Sequence, residues 1–492
     1  MAEVIDCDVL VVGAGPTGVT LGLLLARGGL TTFVVDKAPD IYPLPRAAHI
    51  DHEIMRLLQE LGVAAQVAAT CRTASRYDFL TARGEILLRF EGIDRVGPGG
   101  WPASNMIHQP SLEAILRTAA DKQPQFQLRT SWNWKSYRSD AGAVVSTIAV
   151  PDGEREVRSK YLVGADGARS PVRTAAEIEM EDLGFDEEWL VIDALVHDAE
   201  RLPEVNLQIC DPDRPTTCVL MGSGRHRWEF MLKPHETADD LLPDDVIARL
   251  LKPWNVDGAI TLERKAVYRF NAKVAKHWRK GRILLAGDAA HLTPPFAGQG
   301  LCSGMRDAAN LAWKLIAVSR NADDSILDTY QTEREAHVRP IISLAMMMGR
   351  TVCIADPAAA RARDEQMLAA RAAGSAPDGA VSNPPLGPGI MMLGCSEAGS
   401  YFPQVVAADG TRLDDILGSG AWLIGRGAGG TPRRTALKSI DLAEPRLAPF
   451  GSQLDTWLAK HNADAVLVRP DRYVFGTGAP ESLMRAWLDL AL

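Results

Sequence analysis

The apolar positions of this chain change period near its start. Residues 8–13 read DVLVVG, a continuous apolar run of the kind that fits a parallel strand buried on both faces. Residues 13–18 read GAGPTG, and an Ala/Leu-rich helical pattern follows to about Arg27. Residues 31–36 (TTFVVD) predict a second strand, closing a strand–helix–strand unit that opens a doubly wound sheet. Two more short apolar runs end in an aspartate, YLVGAD at 161–166 and RILLAGD at 282–288. Strand-like segments alternate with turns over 184–236, and helical patterns are predicted at about 304–320 and from 325 to about 373. Residues 374–388, rich in Gly, Pro and Ser, read as a linker. Beyond them, 389–492 reads as a small α/β unit, with strands predicted at 421–424 and 465–468 and a closing helix at 481–490. The expected class is α/β.

Composition narrows the function classes. The 492 residues are 46% hydrophobic and 23% charged, ordinary for a globular chain able to bury a large core. With 53 basic and 62 acidic residues the net charge is −9, which argues against nucleic acid or an anionic membrane as partner. The cysteines, at 7, 71, 210, 218, 302, 353 and 395, form no CxxC pair and no metal-ligand cluster. Reduced thiols, a cytoplasmic location and no metal are expected. Residues 1–8 carry acids and no base, unlike a signal peptide, and no uncharged apolar run is long enough to span a bilayer.

The GAGPTG turn matches the dinucleotide fingerprint. Gly13 permits the tight turn, Gly15 lets backbone approach a pyrophosphate, and Gly18 lets the helix pack on the strand. Pro16 and Thr17 open the helix whose amides receive phosphate charge. Asp36, followed by Lys37, ends the second strand, where a carboxylate accepts ribose hydroxyls. A ligand-free glycine turn is the plainer alternative. The match alone does not separate FAD from NAD. Asp166, in GADGARS (164–170), and Asp288, in GDAAH (287–291), each sit at the carboxyl end of a strand, where open α/β sheets bind ligands. Asp288 is expected to hold a hydroxylated chain such as ribityl, and Gly298, Gly300 and Gly304 to clear space for a flat ring. Each aspartate alone reads equally well as a helix cap or turn residue.

These three motifs, in this order, resemble the class A FAD-dependent aromatic hydroxylases, over about residues 5–350. The stretches GDAAHLTPPFAGQGLCSGMRDAANLAWKL (287–315) and YPLPRA (42–47) are most similar to the 3-(3-hydroxyphenyl)propionate hydroxylase branch. The C-terminal unit, with LVRPDRYVFG at 467–476, resembles the thioredoxin-like domain of phenol hydroxylase relatives but lacks its CxxC. The resemblance implies a glutathione-reductase-like FAD-binding domain (1–180 and 281–373, interrupted by substrate-domain segments near 75–105). It also implies a β-sheet substrate domain (181–280), the linker (374–388) and a thioredoxin-like domain (389–492). It implies tight, non-covalent FAD held by Gly13, Gly15, Gly18, Asp36, Arg46, Gln109 and Asp288, with Arg46 at the diphosphate and Asp166 serving FAD and NAD(P)H. Pro295 would turn its carbonyl to the substrate ring, and the amides of Leu301 and Cys302 would face the flavin N1 and O2. NADH or NADPH would act as transient donor and O2 as co-substrate, hydroxylating a phenolic ring through a flavin C4a-hydroperoxide. A homodimer is expected.

A phenol reacts best when deprotonated, so a base is useful. His49 has a ring suited to that work at neutral pH. Asp51, by its spacing to Arg56, resembles an aspartate near the ring in phenol hydroxylase. The plainer alternatives are a packing role for His49 and, for Asp51, the N-cap of a helix over 52–61. The cluster at 225–228 (RHRW) reads as a solvated strand edge, or else as a carboxylate-binding group. The pair in WNWK (132–135) lacks the Ile-Pro of the halogenase WxWxIP motif and reads as an amphipathic strand. Two other readings stay open: a same-fold monooxygenase of polyketide, drug-like or alkene substrates, and a non-catalytic flavin-binding interaction protein.

Overall fold

The computed structural model describes residues 4–44, 46–375, 383–429 and 437–490. Its architecture is mixed α/β, organised around three main sheets. In the first, the strands Ile283–Leu285, Gly153–Gly164, Ile5–Val12, Thr32–Val35 and Phe126–Arg129 lie side by side and parallel. Val9, Leu10 and Val11 are wholly buried, as a strand covered on both faces requires. The helix Pro16–Arg27 covers one face and packs on the long helix Gly300–Ser319. Glycines permit this approach. A Cβ on Gly304 would lie 2.4 Å from Thr17 Oγ1, and one on Gly28 would lie 2.3 Å from Ile316 Cδ1. Gly304 thus serves helix packing against Thr17 and Gly287; the expectation that it makes room for a flat ring is corrected.

The second sheet runs His291–Leu292, Ile260–Ala275, Met180–Val196, Arg225–Met231, Thr216–Met221, Asn206–Ile209, Arg76–Leu80 and Ile86–Glu91. The RHRW cluster is therefore central, its strand buried from His226 to Met231, and not the solvated edge that its charge suggested. The third sheet orders Leu437–Asp441, Ala421–Gly425, Ala465–Val468 and Val474–Gly478, the first pair parallel and the others antiparallel. The helices Gly451–Lys460 and Pro480–Asp489 accompany it.

The helix expected at 304–320 begins four residues earlier, at Gly300, and the long pattern after 325 breaks between Val352 and Pro357. Trp134 is buried on the strand Asn133–Asp140, with its indole N–H donated to Ser146 Oγ at 3.1 Å. The middle of the linker, 376–382, lies outside the described residues. Among those described, no single helix is long and apolar enough to cross a membrane, and no cluster of His, Cys, Asp and Glu has a metal-binding arrangement.

The unit built on the third sheet is tied by buried charge to the helices His52–Glu60, Gly300–Ser319 and Thr329–Val352. Arg56 grips Asp414 through Nε (2.9 Å) and Nη2 (2.7 Å), and Arg472 reaches the same carboxylate at 3.0 Å. Glu333 accepts from Arg469 at 2.7 Å and lies 2.9 Å from Lys314, and Asp471 accepts from Asn310 and Trp313. Burial drives the Lys314 ammonium down to about 8 against the pull of Glu333.

Candidate active site

One cleft of about 1720 Å³ joins the carboxyl ends of the parallel strands to the face of the second sheet. This exceeds the usual volume for one small ligand, roughly 300–1,000 Å³, and suits a dinucleotide plus a substrate.

At the dinucleotide end, Gly13 has φ +106°, and a Cβ there would lie 2.3 Å from Ala165 O. A Cβ on Gly18 would collide with Gly13 O at 1.9 Å. Gly15 differs. Its backbone is extended, and a Cβ would meet no atom within 4 Å. Protein packing does not require glycine there; the open cleft, kept clear for a ligand, does. Gly167 and Gly300 border the same space, and the nearest atom to a Cβ on Gly300 is 3.9 Å away. Pro16 sits at the helix N-terminus and lines the cleft with Thr17, Lys37 and Arg46. Asp36 uses its carboxylate on the Ala14 and Ala38 amides at 2.7 and 2.8 Å, which holds the turn and leaves lone pairs facing the cleft. Asp288 lines the cleft from the turn Gly287–Ala289, its side chain open to that space, and desolvation by the surrounding walls raises its pKa. Asp166 Oδ2 accepts from the Val172 amide, while Oδ1 is buried without a hydrogen-bond partner among the described residues, and burial raises its pKa too.

Gln109 lines the cleft where a cofactor contact is expected of it. Its Oε1 accepts from the amides of Arg46 (3.1 Å) and Ala47 (2.7 Å), and its Nε2 donates to Glu113. It thereby also positions the loop that carries Arg46.

The loop before Gly300–Ser319 supplies a further part of the cleft wall. Pro295 lines it, and its carbonyl accepts from the Gly298 amide at 2.8 Å, which leaves one lone pair for the ring contact expected of it. Phe296 packs edge-on to Phe185 and Trp189, at centroid distances of 5.7 and 5.6 Å, making this region apolar. Gly298 takes a left-handed conformation, φ +64°. Leu301 lines the cleft from the first helical turn, where amides lack intrahelical acceptors. Cys302 Sγ is buried against the carbonyls of His49 and Gly298, so that only its backbone can serve the site.

His49 lies on the strand His49–Asp51, half-buried and lining the cleft. Its Nδ1 is 3.0 Å from Gly298 O. A carbonyl only accepts, so Nδ1 carries the proton and Nε2 keeps the basic lone pair. Burial lowers its pKa below the ordinary 6.5. Asp51 is different. Oδ1 caps the helix His52–Glu60 by accepting from the Glu53 and Ile54 amides, and Oδ2 pairs with Arg306. Burial pushes its pKa up, but Arg306 overrides this and holds it well below the usual range. A carboxylate so held is a poor base, and the expectation of that role is corrected.

The sequence reading missed the far end of the cleft. Tyr77, Asn206, Gln208, Thr217, Arg227 and Glu229 line it from four strands of the second sheet, and of these Arg227 alone was a sequence candidate, within RHRW. Tyr77 donates to Phe296 O at 3.3 Å and accepts from Gln208, whose Oε1 takes the Thr217 hydroxyl at 2.8 Å. The signal available was polar residues at alternate strand positions, which also describes a solvated face. Asn383 and Tyr401, beyond the expected substrate segments, line the cleft as well.

Known proteins agree with this geometry. A family described as FAD binding domain matches residues 6–345, and one described as HcaD C-terminal domain matches 433–491. A probable NADH-specific resorcinol 4-hydroxylase of Rhodococcus jostii is 38% identical over 95% of this chain and 91% of its own. A 3-(3-hydroxy-phenyl)propionate/3-hydroxycinnamic acid hydroxylase of Burkholderia vietnamiensis is 32% identical over 95% and 93%. Among solved structures, aklavinone-11 hydroxylase with FAD and aklavinone superposes with TM-score 0.77 at 24% identity, covering 100% of this chain and 99% of that one, a likeness of fold. With two thirds of the chain matched by that family and near full-length relatives above 30% identity, the chain belongs to the FAD-binding-domain family of class A flavoprotein aromatic hydroxylases.

Proposed function

We propose that this protein is an FAD- and NADH-dependent monooxygenase that hydroxylates a small phenolic ring, as the names of its relatives suggest. The observation that carries the reading is one cleft lined both by the glycine cradle at Gly15 and by the His49 imidazole, whose Nδ1 is tied to Gly298 O. When bound, FAD supplies electron transfer from NADH and the activation of O2.

The chain's own residues do the rest. The helix N-terminus at Pro16–Thr17 and the guanidinium of Arg46 receive the diphosphate charge. Asp36 and Asp288 accept hydroxyls of ribose and ribityl, and Lys37 and Asp166 flank them. First-turn amides at Leu301 and Cys302, at the positive end of a helix dipole, meet negative charge at the flavin N1 and O2. Phe296 and its aromatic neighbours exclude water. His49 Nε2 takes the phenol proton, and Gly298 O holds the ring in the tautomer that can.

The order and directions of the third sheet support a thioredoxin-like C-terminal domain without redox cysteines. The three sheets support the division into FAD-binding, substrate and C-terminal domains at the boundaries expected from sequence. A cytoplasmic homodimer with no nucleic-acid or membrane partner completes the proposal. The test is direct: purified protein should be yellow and oxidise NADH faster with resorcinol present, with O2 uptake matched to hydroxylated product. Colourless protein, or NADH oxidation indifferent to phenols, contradicts it.

A further inference from the structure

The face of the second sheet that floors the cleft carries a row of polar side chains. Gln208 pairs across strands with Thr217, and Thr217 with Glu229. Gln208 and Thr217 satisfy each other at 2.8 Å. Glu229 does not join them. Its side chain is 7% exposed, its exposure opens on the cleft, and among the described residues it accepts no hydrogen bond; its nearest cation is Arg227 at 3.6 Å.

The charges around it are already balanced. Asp193, wholly buried, takes Arg227 through Nε at 2.6 Å and Nη2 at 3.1 Å, and takes Arg264 at 3.1 Å. Arg227 also donates to Arg46 O at 2.8 Å, and Arg264 lies over the Tyr268 ring at 4.5 Å. Two guanidiniums thus face two carboxylates, Asp193 and Glu229, in a buried cluster with no surplus positive charge. Arg46 is assigned above to the cofactor diphosphate. Arg95 opens on the cleft from an exposed loop, where solvent screens it.

We propose that Glu229 is a specificity-determining residue: it accepts the hydrogen bond of a second ring hydroxyl and turns away a ring bearing a carboxylate. The substrate class is then a neutral, dihydroxylated ring. A buried acceptor left unpaired is costly, so a ring that supplies the missing donor is favoured over one that does not. A carboxylate brought to the same place meets a like charge with no cation to spare. This assignment rests on the hydroxylase reading and deepens it.

The experiment compares resorcinol with 3-(3-hydroxyphenyl)propionate in the FAD-loaded enzyme. Binding is read from perturbation of the flavin spectrum, and turnover from product formed per NADH. In the wild type, resorcinol is expected to bind more tightly and to have a kcat/KM higher by about 10²-fold, consistent with like-charge rejection of a few kcal/mol. Glu229→Gln, which removes the charge and keeps the shape, should lower resorcinol kcat/KM about 10-fold and shift the ratio toward the acid by at least that factor. Wild-type enzyme that binds and turns over the acid as well as resorcinol overturns the inference without any variant. So does a FAD-replete Glu229→Gln enzyme with an unchanged ratio. Turnover of neither ring, nor of other phenols, overturns the hydroxylase reading and this assignment with it.

Discussion

The two ends of the cleft are made by opposite means. At the dinucleotide end, the shape comes from backbone: Gly13, Gly15 and Gly18 are close in sequence, and two of the three are fixed by collisions that a Cβ would create. At the substrate end, the shape comes from side chains that lie far apart in sequence, from Tyr77 to Glu229, gathered by strand pairing. A backbone-built site tolerates almost no side chain and needs little support. A side-chain-built site depends on neighbours that orient it, such as Gln208 for Tyr77 or Asp193 for Arg227.

The sharpest way to break this comparison is at Gly15. A Cβ there meets no protein atom within 4 Å, so Gly15→Val should fold with a melting curve close to that of the wild type yet hold less than about a tenth of its FAD, losing nearly all hydroxylation. Gly13→Ala should do the reverse of the first part. Its collision with Ala165 O and its φ of +106° strain the fold itself, costing about 1–3 kcal/mol in denaturant titration. A normal flavin content in Gly15→Val would remove the dinucleotide assignment.

The next effect belongs to His49, on the wall between the two ends. His49→Ala should bind FAD and accept electrons from NADH, but hydroxylate about 10²–10⁴-fold more slowly and release more H2O2. Burial depresses the imidazole pKa, so the neutral base persists through pH 7 and the rate should fall only as pH drops through a value below 6.5. That acid limb should vanish in His49→Ala; a limb that survives, or an unchanged rate and coupling, makes His49 a packing residue.

The C-terminal unit sharpens the comparison from outside. Asp414 holds both Arg56 and Arg472 without solvent. Asp414→Asn leaves the buried Arg56 guanidinium without its carboxylate, while Arg472 keeps Glu60 at 3.2 Å, and should cost about 3–5 kcal/mol in stability, by calorimetry, with FAD affinity little changed in the protein that remains folded. The smallest effect is expected at Cys395, whose Sγ accepts from the Thr477 amide at 3.3 Å and shares a hydrogen bond with its hydroxyl at 3.2 Å. Cys395→Ser should keep full turnover and lie within about 0.5–1.5 kcal/mol in stability. A large loss of turnover there would point to chemistry in a unit that otherwise reaches the cleft only through its edge, as at Tyr401.

The same contrast explains what was legible beforehand. The first strand, the turn at 13–18, the helix after it and the acids at 36, 166 and 288 were readable because each is a short-range pattern whose purpose is local. Asp51 was readable as a cap, and the structure makes it one. Gln109 and Pro295 were read through resemblance and turned out to hold backbone as well. The RHRW cluster misled because charge on a strand usually means solvent; here Asp193, from the neighbouring strand, buries Arg227.

The sequence by itself determined the fold class, the dinucleotide turn and the apolar runs that become the central sheet, because hydrophobic period and glycine geometry act over a few residues. Only the tertiary structure decided which polar side chains face the cleft. Alternation places Glu229 on one face of its strand, but whether that face meets water or a buried cleft depends on what the chain packs against it. It likewise decided that Arg306 would silence Asp51 and that Gly298 would fix the His49 tautomer, since these partners lie some 250 residues away.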